Sequence, residues 1–237
     1  MSGHHNAVFA PIDYDHILER VGGGNETEVY RSDDGRYVAK LKTERGSTPA
    51  NALARAREMR VAAEIFATCL GPEHSLPNYY LLARDTQGDT QPLVIQPFLS
   101  DAQPLASVDY RALRSEERQI LARHLTQIID RSVRLYRRIG VMPDLYGRTS
   151  QSTSERHRLN RPHMLPWRLW SFLVRRTILR SHNLLRTHDG RLILVDYDAV
   201  RRGSLYRAVY FFVRLLLFTR DYAVIRLTLR SPTSRQR

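Results

Sequence analysis

The chain has a single cysteine, Cys69, among its 237 residues, so neither a disulfide framework nor a cysteine-built zinc site is available to it. A reducing compartment fits that usage best. Lysine is nearly missing as well: of 37 basic side chains, all are arginine except Lys40 and Lys42. The arginine bias suits a GC-rich genome as readily as selection for phosphate binding. It still makes each retained lysine informative, because a compact ammonium stands where arginine is the default. Long apolar runs are also lacking. The longest, Ala208 to Phe218, is broken by Arg214 and falls well short of the ~20 residues of a spanning helix. The opening stretch, MSGHHNAVFAPIDYDH, has neither the basic flank nor the apolar run of a secretory signal. A protein that begins in the cytoplasm is expected.

What is present bounds the class further. With 42% hydrophobic residues the chain can bury a core as one two-lobed domain or as two small ones, and disorder throughout is excluded. A formal net charge of +13 attracts phosphates, nucleic acids or anionic lipid headgroups, an attraction that weakens with salt. The histidines His124, His157, His163, His182 and His188 show no paired metal-ligand spacing with nearby acids, so no zinc site is expected.

Along the chain, Gly22-Gly23-Gly24 precedes an alternating strand, Glu28 to Arg31, and Asp33-Asp34-Gly35 is a hairpin turn before a returning strand, Tyr37 to Leu41. That strand puts Val38 and Lys40 on one face. Residues Ala50 to Leu70 read as a long helix stopped by Gly71-Pro72. Tyr79–Ala83 and Leu93–Phe98 read as two further strands, with Pro97 ending the second or setting it at an edge. From Ser115 to Gly140 apolar positions recur at helical spacing. Between Leu145 and His182 there are eight arginines and one acid, Glu155, together with Trp167 and Trp170. A second hairpin spans Asn183 to Asp196 around His188-Asp189-Gly190, and Tyr206 to Arg230 reads as one or two amphipathic helices.

Several of these segments carry chemistry. Val21-Gly22-Gly23-Gly24-Asn25-Glu26-Thr27-Glu28-Val29 resembles the G-x-G-x-x-G-x-V loop of protein kinases, with Thr27 at the third glycine. Glycines there let backbone approach phosphates. Val38-Ala39-Lys40 resembles the V-A-x-K strand. Asn183-Leu-Leu-Arg-Thr-His-Asp-Gly-Arg-Leu-Ile-Leu-Val-Asp196 matches N-[IL]-L-x(4)-G-x-[LV]-x-[IL]-x-D in type and spacing, and is the most specific of the set. Together they identify a resemblance to the protein-kinase-like superfamily over roughly residues 18 to 200.

That resemblance implies an α+β, two-lobed fold: an antiparallel-sheet N-lobe over 1–99 and a short, mostly helical C-lobe over 100–237. It implies ATP and Mg²⁺ as cofactors. Val21, Gly22, Gly23, Gly24, Val29 and Ala39 would surround the nucleotide, Lys40 would hold its phosphates, and backbone groups of Gln96 and Phe98 would receive adenine. Asn183 and Asp196 would ligate the metal through hard oxygens. Glu58, preferred over Glu64, would pair with Lys40, since Val61, Ala62 and Ile65 follow it at helical spacing. Asp198 replaces the glycine of D-F-G and is a secondary metal candidate.

The family's catalytic carboxylate lies five residues before the asparagine, where this chain has Ile178. The candidate base is therefore Asp144, in Gly140-Val-Met-Pro-Asp-Leu145, which resembles the start of the catalytic loop with Met142 and Pro143 replacing His and Arg. Residues 146–182 become an insertion in that loop, whose ends must meet beside the metal. Its Arg/Trp segment, Arg156 to Arg180, suits either a helix covering the C-lobe or contact with anionic lipid, with nucleic acid less favoured. Only about forty residues follow Asp196, without an A-P-E signal, so a peptide-binding lobe of normal size is not expected. The acceptor is then an unidentified hydroxyl, of a sugar, a lipid-linked saccharide or a protein. The alternatives are a pseudokinase acting as a nucleotide-binding module, and a basic membrane-surface or RNA-binding protein.

Overall fold

The computed structural model describes residues 19–23, 27–42, 48–84, 89–110, 112–146, 181–197 and 204–230. Gly24, Asp198, the segment 147–180 with Trp167 and Trp170, and the tail after 230 lie outside the described residues.

The architecture is α+β, with a five-stranded antiparallel sheet followed by a mostly helical part. Strands β1 (Glu19–Gly23), β2 (Thr27–Arg31) and β3 (Tyr37–Lys42) form a meander. Asp34 shapes the β2–β3 turn: its carboxylate accepts from the backbone amide and Nε of Arg36 and from Ser32 Oγ. Strand β4 (Tyr79–Arg84) and strand β5 (Thr90–Pro97) complete the sheet in the order β1-β2-β3-β5-β4. Strand β5 is longer than its apolar run suggests, starting at Thr90 rather than Leu93. It lies between β3 and β4, so Pro97 marks its end rather than an edge.

Helix α1 (Pro49–Leu70) starts with Pro49 in its first turn and Thr48 Oγ1 accepting from the Asn51 amide at 3.3 Å, a side-chain N-cap. It ends at Gly71, whose φ of +86° is a conformation side chains other than glycine resist. A single 3₁₀ turn, Pro72–His74, follows. Helix α2 (Ser115–Ile139) opens with the Arg114 amide donating to Glu117 Oε2 at 2.9 Å and closes on left-handed Gly140, so both ends read correctly from the sequence.

Arg131 of α2 ties the two helices together. Its guanidinium donates to the Leu70 carbonyl at the end of α1 and pairs with Glu73 at 2.7 Å. Strands β6 (Gln103–Pro104), β7 (Leu184–Arg186) and β8 (Leu192–Leu194) make a small second sheet. The Ser204–Arg230 segment is one continuous helix, α3.

The main core is continuous. It takes Ala62, Ala63, Phe66 and Leu70 from α1, Leu121, Leu125, Ile128 and Ile129 from α2, and Leu184, Leu192 and Leu194 from the hairpin. From α3 it takes Phe211, Leu217, Phe218 and Ile225. The second half of α1 is thus shared between the sheet above it and the helices below. Among the described residues no helix is long and apolar enough to cross a membrane.

Candidate functional site

The β3 lysine and the β7–β8 hairpin meet at one peptide unit. The Val195 carbonyl accepts from Lys40 Nζ and, at 3.1 Å, from Gln96 Nε2, while the Val195 amide donates to the Asn183 carbonyl at 2.9 Å. Asp196 is the next residue. Residues 155 positions apart in sequence are therefore neighbours, because β3 and β5, adjacent inside the sheet, present Lys40 and Gln96 from the one face that meets the second hairpin. The Gln96 amide is fully employed: besides Val195 it donates to Asn78 Oδ1.

Tyr197 fixes the segment from the other side. It is 5% exposed, and its hydroxyl accepts from the Leu76 amide at 2.7 Å. Burial pushes its phenol well above the ordinary tyrosine value, and the hydrogen bonds with Leu76 and Asn78 only partly offset that. The aromatic of D-Y-D is thus an anchor to the strand β4 approach, which holds Asp196 at the hairpin mouth.

Asp144 and Asn183 are also adjacent. Asn183 Nδ2 donates to the Asp144 carbonyl at 2.9 Å, so residues on either side of the 147–180 segment are neighbours. The Asp144 carboxylate accepts from the Tyr146 amide at 3.0 Å and from Arg214 of α3 at 3.1 Å. Arg214 lies against the rings of Tyr146 and Tyr210, at 5.0 and 4.6 Å from their centroids, a desolvated cation–π arrangement. Burial opposes its charge, but Asp144 and Tyr210 outweigh burial and raise its pKa above the ordinary arginine value.

Beneath this, Tyr146 donates to Asp221 at 2.8 Å. Asp221 is 0% exposed, and burial raises its pKa to about 6 against the pull of Tyr146 and Arg220.

The remaining expectations divide. Val21 is exposed on β1, and Gly22 and Gly23 are the last two residues of that strand. Val29 pairs with Lys40 across β2–β3, and Ala39 pairs with Ile95 across β3–β5. Phe98 does not offer its amide to a ligand: that N–H donates to the Arg36 carbonyl at 2.7 Å and extends the β3–β5 ladder by one step. Gln96 is likewise inside that ladder, opposite Val38.

Glu58, expected to face Lys40, is exposed, as is Val61 at 54%. The inward face of α1 runs through Ala52, Arg55, Ala56, Met59, Ala62 and Ala63, so the charged residue turned inward on that stretch is Arg55. Of the apolar positions that follow Glu58, Ala62 is buried and Ile65 packs partly against the core, whereas Val61 is exposed. Glu64 pairs with Arg60 at 2.9 Å along the helix.

His74 was not expected. It is wholly buried, its Nδ1 donates to the Leu192 carbonyl at 2.8 Å, and it meets His124 edge to face at 5.2 Å. Burial, followed by His74, pushes the His124 pKa down. Among the described residues no group of three or more His, Cys, Asp or Glu could hold a metal ion. A divalent ion at this site would rest on the oxygens of Asn183 and Asp196 and on its ligand's phosphates.

No family model and no curated protein matches the chain. Among solved structures it is similar to a MAP kinase from Leishmania major, with 13% sequence identity and a TM-score of 0.39, over 78% of this chain and 47% of that one. The chain thus spans less than half the length of that structure.

Proposed function

We propose that the chain is a kinase-like phosphotransferase that binds ATP with Mg²⁺ and transfers the γ-phosphoryl group to a hydroxyl acceptor. The observation that carries this reading is the contact of the Lys40 ammonium with the carbonyl of Val195, the residue before Asp196, whose amide in turn donates to the Asn183 carbonyl. An ammonium, an amide and a carboxylate gathered from an early strand and a late hairpin are the groups that a metal-bound triphosphate needs. Lys40 neutralises phosphate charge, Asn183 and Asp196 supply oxygens to the ion, and the ion stabilises the charge that develops on the transferred group. Asp144, beside Asn183, orients the acceptor hydroxyl. Its ion pair with Arg214 fixes the carboxylate in place, and phosphoryl transfer rests largely on such positioning. Use of ATP fits a cytoplasmic location. The acceptor is the hydroxyl of a sugar, a lipid-linked saccharide or a protein.

A specific observation favours a second reading, a nucleotide-binding module without turnover. The candidate base, Asp144, is already held by Arg214.

Thermal denaturation with and without Mg-ATP tests the nucleotide site. The wild type is expected to gain stability, and Lys40→Ala and Asp196→Ala to lose most of that gain. No shift in the wild type would overturn both readings. ATP turnover then separates them: Asp144→Ala keeps the shift in either case, and abolishes turnover only if the chain is an enzyme.

A further inference from the structure

Helix α3 is apolar on two sides. Phe211, Leu217, Phe218 and Ile225 face the core, whereas Leu205, Val209, Phe212, Val213 and Leu216 face outward, from 37% exposed at Val213 to 78% at Leu205. At 100° per residue these five outward positions fall within an arc of about 100° and extend over about 17 Å. They therefore form one continuous stripe rather than scattered apolar residues, and a stripe of this kind on a protein surface marks a contact. Its direction is fixed: the opposite face of α3 packs on α2, with Phe211 against Tyr136 at 5.2 Å, so the stripe looks away from the body of the protein.

Charge decides the occupant. From residue 201 to 237 the sequence has nine arginines and one acid, Asp221, and that acid is 0% exposed. Arg214 and Arg220 are taken up by Asp144 and Asp221, and no further acid in this stretch of sequence offsets the other seven arginines. A second copy would bring another +13 chain against this one, and five side chains are far fewer than the ~20–30 residues per partner of a stable protein interface. An anionic bilayer meets both features at once, because apolar side chains enter the boundary between headgroups and acyl chains while arginines meet lipid phosphates.

We propose that the outer face of α3 is a docking surface for an anionic membrane, with α3 lying flat in the interface and Leu205, Val209, Phe212, Val213 and Leu216 inserted. The inference is independent of nucleotide chemistry.

Sedimentation of the full chain with phosphatidylcholine vesicles, with and without phosphatidylglycerol, tests it. The wild type is expected to bind the anionic vesicles selectively. The double substitution Val209→Ser with Phe212→Ser keeps every charge and is expected to weaken binding by about tenfold or more at an unchanged melting temperature, because both side chains are exposed. Absence of binding by the wild type would overturn the proposal, as would equal binding by the double variant, which would mean attraction by charge alone. A wild-type dimer in light scattering that the double variant reduces to monomer would also overturn it and give the face to a second copy.

Discussion

Asp221 sits at 0% exposure with Tyr146 donating to it at 2.8 Å, and the cost of keeping a carboxylate there appears as a pKa raised from 3.8 to about 6 by burial. The folded state then binds more protons than the unfolded state between those two values, so the contribution of Asp221 to stability falls as pH rises from about 4 to about 6. The loss is on the order of 3 kcal/mol at most, at 1.36 kcal/mol per pKa unit. Asp221→Asn keeps an acceptor for Tyr146 and removes the titration. Denaturant unfolding is expected to show the variant more stable than wild type at neutral pH and no more stable near pH 4.

Tyr197 gives a second residue-scale test. Tyr197→Phe preserves the packed ring and leaves the Leu76 amide without its 2.7 Å acceptor, which is expected to lower stability by about 1–3 kcal/mol, readable in the same unfolding experiment.

At the scale of elements, the two helix ends that terminate on glycine are not equivalent. Gly140 has a φ of +73°, and a Cβ added there would meet open space. Gly71 has a φ of +86°, and its Cβ would lie 2.5 Å from Glu73 Oε2 and 2.8 Å from an Arg131 guanidinium nitrogen. Those atoms are held by their own ion pair at 2.7 Å, so relief at Gly71 means breaking the tie between α1 and α2. Gly140→Ala is expected to cost about 1 kcal/mol by conformation alone, and Gly71→Ala clearly more, with thermal melts of the two variants as the comparison.

The strands teach the converse. Hairpin turns at Asp33-Asp34-Gly35 and His188-Asp189-Gly190 are legible because side chains there shape the turn locally: Asp34 binds Arg36, and Asp189 binds Thr187 and Arg191. The fate of the Phe98 amide was not legible, since it is decided by Arg36, in the distant turn before β3.

For the molecule as a whole, ligand binding is expected to act on both lobes together, because Val195 joins Lys40 and Gln96 of the sheet to Asn183 of the hairpin. Mg-ATP at a hundred times its dissociation constant should add about 2.7 kcal/mol to unfolding in a single transition, whereas separate transitions, one insensitive to nucleotide, would show that the lobes are energetically independent. The electrostatic layout belongs to this scale too. Arg214 was visible in the sequence only as the residue that breaks the Ala208–Phe218 apolar run. A charge at a core-facing helical position needs a buried partner, and that was the available signal for the Arg214–Asp144 pair at 3.1 Å. Among so many arginines it had no distinguishing mark.

By itself the sequence determined what depends on near neighbours: the strands and turns around Lys40, the glycine stops of α1 and α2, and the hairpin that carries Asn183 and Asp196. Periodicity, capping and turn preference act over a few residues, so they leave their trace in the order of letters. Only the tertiary structure decided which helix face turned inward, which placed Arg55 rather than Glu58 toward the core side, and which distant groups shared a partner, as Gln96 and Lys40 do at Val195 and Arg214 does at Asp144. Those choices rest on packing volume and on the need to satisfy buried polar atoms. Both are properties of the assembled interior and not of any stretch of chain.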